Sequence, residues 1–352
     1  MPSLSGYRLE RARASRQFRD DGKFHNTLPV TPGLKGNPLP VLGEFLFGGH
    51  KRRPAVELPV ESPLEVWNRP VETGLRMSWL GHSTVLIEVD GHRFLTDPVF
   101  AGRVSPVQWA GGSKRFHPTP ASIAQLPKLD AVLLSHDHYD HLCRESIEAL
   151  ARMNVPIVTS LGVGARLEKM GVRAIHELDW WEDIRIGGLH FTATPSQHFS
   201  GRTLTDRNDT LWSSWVIQTD TRKIFFSGDT GLTQEFATVR ERFGKMDVVM
   251  LEIGAWNEAW GDIHLGPKGA LAAFDLLGGG TLLPVHWGTF DLGLHPWDQP
   301  AEELLAHAGD RRILTPVLGR PFEVDRIEGP TPWWRTAGRA EQVAPSVVET
   351  AR

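Results

Sequence analysis

Apolar and polar positions change rhythm near residue 75. From there, short apolar or alternating runs of strand length recur. The first three are Arg76–Leu80, Thr84–Val89 and Arg93–Thr96, with Asp90-Gly91 between the second and third as a hairpin signal. Further strands are predicted over Ala131–Leu134, Pro156–Thr159, Leu189–Thr194, Leu211–Gln218, Lys223–Ser227, Val248–Glu252 and Thr281–Val285. Helical spacing is predicted over Glu145–Met153, Val163–Met170, Thr233–Phe243 and Pro267–Leu277. Pro267 suits a first helical turn, where its missing N–H costs nothing. Strands alternating with helices, plus hairpins, predict an α/β fold with mixed sheets.

The first 70 residues follow neither rhythm. Arg8, Arg11, Arg13, Arg16 and Arg19 fall in one amphiphilic stretch, and Pro29, Pro32, Pro38, Pro40, Pro54, Pro59 and Pro63 follow. The expected organisation is an arm over 1–70 packing on a core, a main domain over 71–325 and a tail over 326–352. A solvated helix and loop is the plain reading of the arm. A lid, or a basic surface for anionic lipid, is the alternative.

Composition narrows the chemistry. The 352 residues are 40% hydrophobic with a net charge of −4, so a sizeable core is available and a dedicated nucleic-acid binder is disfavoured. One Cys against 15 His excludes a disulfide scaffold and thiolate metal sites, leaving imidazole and carboxylate ligands open. No run approaches a membrane span, and the N-terminus lacks the apolar segment of a secretory signal. A cytoplasmic protein is expected, at most peripheral to a membrane. There are 13 Trp, including the pairs Trp180-Trp181 and Trp333-Trp334. These read as packing, with an acyl-binding groove as the minority alternative.

The sharpest feature is His136-Asp137-His138-Tyr139-Asp140-His141, directly after an apolar strand. So dense a cluster is expensive to bury unless it binds metal. His198, Asp229 and His286 each lie just beyond a later predicted strand, where open α/β folds place their sites. Seven donors exceed one tetrahedral zinc. Two ions roughly 3.5–4 Å apart would use all seven if Asp229 bridges. His136, His138 and His198 would hold one, and Asp140, His141 and His286 the other. A water between them would be deprotonated near neutral pH and act as nucleophile. Zn2+ is expected, and Fe or Mn fits the same donors.

These residues resemble the HxHxDH signature and later ligand motifs of the metallo-β-lactamase-fold hydrolases, over about residues 75–320. The resemblance implies a four-layer αββα sandwich with a dimetal site at one edge. It implies that Asp97 supports the site without ligating metal. Asp229 stands where zinc β-lactamases tend to place Cys, which disfavours antibiotic hydrolysis. Trp79–Thr84, Lys114–Phe116, Leu126–Asp130, Gln197–Phe199, Arg202–Asn208, Leu211–Trp215 and His286–Phe290 look closer to the N-acyl-phosphatidylethanolamine-hydrolysing phospholipase D family. Ile263–Lys268 departs from that family by lacking an acidic pair, and Asp291–Trp297 departs from its mammalian-type sequence.

A phosphodiesterase of phospholipase D type is therefore expected, with Asp140 and Asp229 at the reacting centre. His264 is the candidate proton donor or phosphate contact. His82, Arg202 and His295 are candidate substrate contacts. Asp206 and Asn208 are expected to order their loop. His25, His50, His92, His117, His176, His190 and His307 read as ordinary. The expected partners are a phosphodiester or phospholipid-like substrate, peripheral membrane contact and a second copy in a homodimer, with no specific nucleic acid. A lactonase acting on a sugar-phosphate or acyl-homoserine lactone is the alternative.

Overall fold

The computed structural model describes residues 4–30, 43, 49–257 and 261–337. Pro32, Pro38, Pro40, the His50 side chain and the tail beyond residue 337 lie outside the described residues.

Strands β1 (Leu75–Gly81), β2 (Thr84–Val89) and β3 (His92–Thr96) form an antiparallel meander. Asp90 and Gly91 both take positive φ (47° and 81°), which a tight two-residue hairpin turn requires. A small ribbon follows, β4 (Arg103–Val104) with β5 (Ser113–Lys114). Then β6 (Ala131–Leu133), β7 (Ile157–Ser160) and β8 (Ile175–Leu178) extend the first sheet in parallel from β3. Strands β9 (Asp183–Ile186), β10 (Leu189–Thr194), β11 (Ser214–Gln218), β12 (Lys223–Phe226), β13 (Val248–Glu252) and β14 (Thr281–Val285) make the second sheet. Finally β15 (Pro321–Glu323) returns to the first sheet beside β1.

Alternation along the strands sorts the layers. Leu75, Met77, Trp79, Ile87 and Phe94 face Phe191, Ala193, Trp215 and Ile217 in one core between the sheets. Phe94 meets Phe191 edge to face at 5.6 Å, bridging them; truncating such a buried ring costs about 3–5 kcal/mol. The other face of the first sheet presents Leu86, Leu95 and Val132 to Ile147 and Leu150 of the Arg144–Arg152 helix. Helices Glu235–Phe243 and Gly266–Leu276 cover the second sheet with Phe236, Val239, Ala270 and Phe274. The result is the four-layer αββα sandwich.

The structure corrects several expectations. The strand expected from Leu211 begins at Ser214, because Leu211 N–H bonds Leu161 O and Ser213 N–H bonds Ser135 O, pinning the segment across the sheets. The half-polar β8 and β9 and the Gln299–Ala306 helix were not anticipated. The arm's helix, Gly6–Ala14, is docked: Arg8 pairs with Glu168 at 2.9 Å and with Glu177, and Arg11 pairs with Glu182. Those two guanidinium groups are held by carboxylates of the body, which removes them from a basic surface; Arg13, Arg16 and Arg19 stay exposed.

The expected tail begins too early. Trp333 and Trp334 belong to the main core. Trp287 stacks on Trp79 at 5.3 Å and meets Trp334 at 5.1 Å, so this pair is packing. Among the described residues, no helix is long and apolar enough to cross a membrane.

Candidate metal centre

Strands β1, β3, β6, β10, β12, β13 and β14 end at one edge of the sandwich. The chain leaves each of them carrying a polar side chain into the same place. The ladder of β1 with β2 shifts register between Trp79 and Gly81, and His82 follows with φ +52°. His286 comes directly after β14 with φ +65°. Its N–H donates to His82 O at 3.0 Å, so two backbones in the left-handed region brace each other.

Two sets of donors converge here, His136, His138, His198 and Asp229 in one and His82, Asp140, His141 and His286 in the other; Asp229, Glu252 and His286 form a third group that overlaps both. All seven residues expected to hold metal are thus brought together, and Asp229 stands between the sets. It lies 3.8 Å from His136 Nε2 and 3.7 Å from His198 Nε2 on one side. On the other it lies 3.1 Å from His141 Nε2 and 3.2 Å from His286 Nε2.

The donor chemistry fits a cation. His136 Nε2 lies 2.8 Å from His138 Nδ1, and His198 Nε2 lies 3.3 Å from that same nitrogen. Three ring nitrogens thus converge within hydrogen-bonding distance of one another, as the ligands of one shared cation would. His141 Nε2 and Asp229 Oδ1 are buried without a well-formed hydrogen bond, a costly state that a metal would relieve.

Protonation tendencies divide along the same line. Burial holds His136 and His198 well below the ordinary imidazole range, and lowers His138. Metal ligation requires that neutral form. Burial also opposes charge on His141 and His286, but Asp229 and Asp140 outweigh it. His141 rises well above its usual value and His286 rises to about 10. Burial tends to raise Asp229 and Asp140, yet the surrounding imidazoles hold both carboxylates well below their usual range.

The supporting groups are specific. Asp97 Oδ2 accepts from His141 Nδ1 at 2.6 Å, while its two oxygens take Ser135 N–H and Oγ–H. Asp97 thus backs the candidate ligand His141 from behind. His82 Nε2 sits 3.1 Å from Asp140 Oδ2, and burial beside His286 pushes its pKa down to about 3. Asp137 turns away from the centre, accepting from Gly201 N–H at 2.8 Å and pairing with Arg166 at 2.6 Å.

Glu252, the last residue of β13, was missed. It is completely buried. Its Oε2 accepts from His264 Nδ1 at 2.7 Å and its Oε1 from Thr230 N–H at 2.9 Å. His264 in turn lies beside His198, with ring centroids 5.0 Å apart. Burial works against charge on His264, but Glu252 raises its pKa overall; burial and Asp229 raise that of Glu252. The available signal was its place at a strand's end, shared with the recognised ligands.

Four other residues need correction or placement. Arg202, expected as a substrate contact, is buried. Its guanidinium donates to Asp137 O at 2.7 Å and Leu142 O at 2.8 Å and lies over the Tyr139 ring. It holds the ligand loop, because those carbonyls need donors. His117, read as ordinary, is buried against Thr289, whose hydroxyl also accepts His82 N–H. His295 does reach the centre's margin: it lines a narrow pocket with His82 and His286, and donates from Nδ1 to Pro296 O. Asp206 accepts Arg202 N–H and Thr203 N–H, ordering its loop.

Residues 92–287 match the β-lactamase superfamily domain. An uncharacterized protein of Mycobacterium tuberculosis is 44% identical over 328 residues, covering 90% of this chain and 86% of that one. The N-acyl-phosphatidylethanolamine-hydrolyzing phospholipase D 1 of Caenorhabditis elegans is 34% identical over 318 residues, covering 83% and 88%. Among solved structures, an isothiocyanate hydrolase from Delia radicum gut bacteria shares the fold with a TM-score of 0.58 at 22% identity, covering 70% of this chain and 98% of that one.

Proposed function

Since the chain belongs to the β-lactamase superfamily and is a metal-dependent hydrolase of that fold, we propose that it is a dinuclear phosphodiesterase of phospholipase D type. Its substrate is an N-acyl-phosphatidylethanolamine or a related phosphodiester. One observation carries the reading: two donor groups, one containing Asp229 and the other reaching to 3.1 Å from it, sit beside a His264–Glu252 pair. Two Zn2+ ions bound there would supply Lewis acidity and an acidified water.

His136, His138 and His198 would hold one ion, and Asp140, His141 and His286 the other. Each set is already oriented by its neighbours, so little reorganisation is needed on binding. Asp229 holds both sets at one spacing. Glu252 accepts the Nδ1 proton of His264 and so leaves Nε2 to exchange a proton with the leaving oxygen. His82 fixes Asp140 Oδ2, the oxygen that also faces His141 and His286. His295, on the pocket beside His286, is a substrate contact. A lipid substrate would be met at the membrane surface, as the described residues include no spanning helix.

The test is reconstitution with Zn2+, elemental analysis, and matched assays on N-acyl-phosphatidylethanolamine, simple phosphodiesters and a lactone panel. About two ions per chain and phosphodiester hydrolysis are expected. Full activity at single occupancy would remove the dinuclear assignment. A preference for lactones would replace the substrate class.

A further inference from the structure

We infer that Asn26 is a positioning residue of the metal centre: its carboxamide holds the main chain of His198 and so couples the N-terminal arm to metal binding. The inference rests on the reading that His136, His138 and His198 bind an ion.

The main chain between β10 and His198 has left its sheet, so each of its polar groups needs a partner elsewhere. Ser196 O accepts from Trp212 Nε1 at 3.0 Å. Gln197 N–H donates to Thr230 Oγ1 at 2.9 Å, and Gln197 O accepts from Gly231 N–H at 2.8 Å. For His198, both partners come from one side chain. Its N–H donates to Asn26 Oδ1 at 3.0 Å, and its O accepts from Asn26 Nδ2 at 2.8 Å. A carboxamide presents a donor and an acceptor side by side, so it pairs with His198 as a neighbouring strand would.

The orientation of that amide is itself fixed. Trp212 Nε1 donates to Asn26 Oδ1 at 3.0 Å, which identifies the oxygen end. The arm is seated just before it: Phe24 is fully buried, its N–H donates to Asn208 O at 2.9 Å, and Lys23 pairs with Asp209. The His198 ring is held separately, by Nδ1–H to Ile263 O at 2.8 Å. With main chain and Nδ1 both held, Nε2 has one direction left, toward His138 and Asp229. Groups that orient a ligand in this way alter metal affinity although they never touch the ion. The coupling is reciprocal, so a bound ion also tightens the arm.

Asn26 lies outside the matched residues 92–287. The centre thus draws a determinant from a segment that carries none of the ligand motifs.

The experiment uses the full chain loaded with Co2+, reading affinity by chelator competition and the visible absorption band of the ion. Asn26→Ala is expected to weaken one of the ions about 10–100-fold and to shift its band. Asn26→Asp keeps the oxygen acceptor and loses the donor to His198 O, so it should fall between. Arg8→Ala loosens the arm's helix but leaves the Lys23 and Phe24 seat beside Asn26, so it should cost clearly less affinity than Asn26→Ala. Melting curves of the metal-free variants check folding, and Asn26→Asp serves if Asn26→Ala does not fold. Wild-type affinity and spectrum in both Asn26 variants would overturn the inference. So would an equal loss in Arg8→Ala, which would make the arm's effect one of general stability. If His198→Ala bound Co2+ like the wild type, the metal reading itself would fall, and this inference with it.

Discussion

On one side of Asp229, His136 Nδ1 rests at 2.9 Å from the Ser135 hydroxyl and His198 Nδ1 on a backbone carbonyl. On the other side, His141 rests on the Asp97 carboxylate, and His286 Nδ1 faces Glu252 Oε2 at 4.0 Å. His136 and His198 are backed by neutral groups and His141 by an anion, whereas His286 Nδ1 makes no hydrogen bond among the described residues and only has Glu252 nearby. Carboxylate backing makes an imidazole a stronger donor, and the added negative charge attracts a cation directly. The second half is therefore built for tight retention. The first is built on hydrogen bonds that the arm and neighbouring loops must supply.

That contrast can be broken at three levels. Asp229→Ala removes the carboxylate common to both halves. It should release metal from both and abolish hydrolysis while the chain stays folded, as read by elemental analysis, assay and circular dichroism. Retained activity would take Asp229 out of its shared role. Asp97→Asn acts on the second half directly, through His141, and on the first only through the Ser135 hydroxyl that meets His136. Chelator competition should show about 10–100-fold weaker binding of one ion, with the other weakened less; equal losses would erase the distinction between the halves.

His117 belongs to neither half, and its effect is the smallest. Burial, then Arg115, lowers its pKa to about 3, against about 6.5 when unfolded. Between those values the unfolded chain takes up a proton that the folded chain refuses. Its contribution to stability is thus intact above about pH 6.5 and falls as the pH drops toward 3. The slope is about 1.4 kcal/mol per pH unit. In urea titrations of metal-free protein, His117→Asn should lose stability over that window less steeply by this amount, with metal affinity unchanged.

The convergence of the candidate ligands was legible because each combines a metal-binding residue type with a fixed place after an apolar strand. The architecture was legible for the same reason, since strand ends and ligands reinforce each other. Glu252 shares that place, but a carboxylate ending a strand is ordinary until His264 is seen against it. Arg202 misled because a charged residue near a site suggests a ligand, whereas here buried carbonyls of the His136–Leu142 loop consume its donors. Asn26 had no local signal at all: its partner lies 172 residues away. The strands β8 and β9 escaped because their exposed or half-exposed polar positions, such as His176, Glu177, Asp183 and Arg185, blur the period on which recognition depends.

The tryptophan stack behind His286 has a consequence in time. Trp287 is packed against Trp333 and Trp334, near the end of the described chain, while Asn26 grips His198 from near its beginning. A ribosome adding about 5–20 residues per second needs roughly 15–60 s to pass from the first of these supports to the last. Over the last 47 residues of that stretch, from His286 to Trp333, about 2–9 s, the nascent chain carries all its candidate ligands without the wall that seats His286. Selective metal capture thus becomes an event that follows synthesis, and a fragment ending before Trp333 would carry every ligand yet lack the finished site.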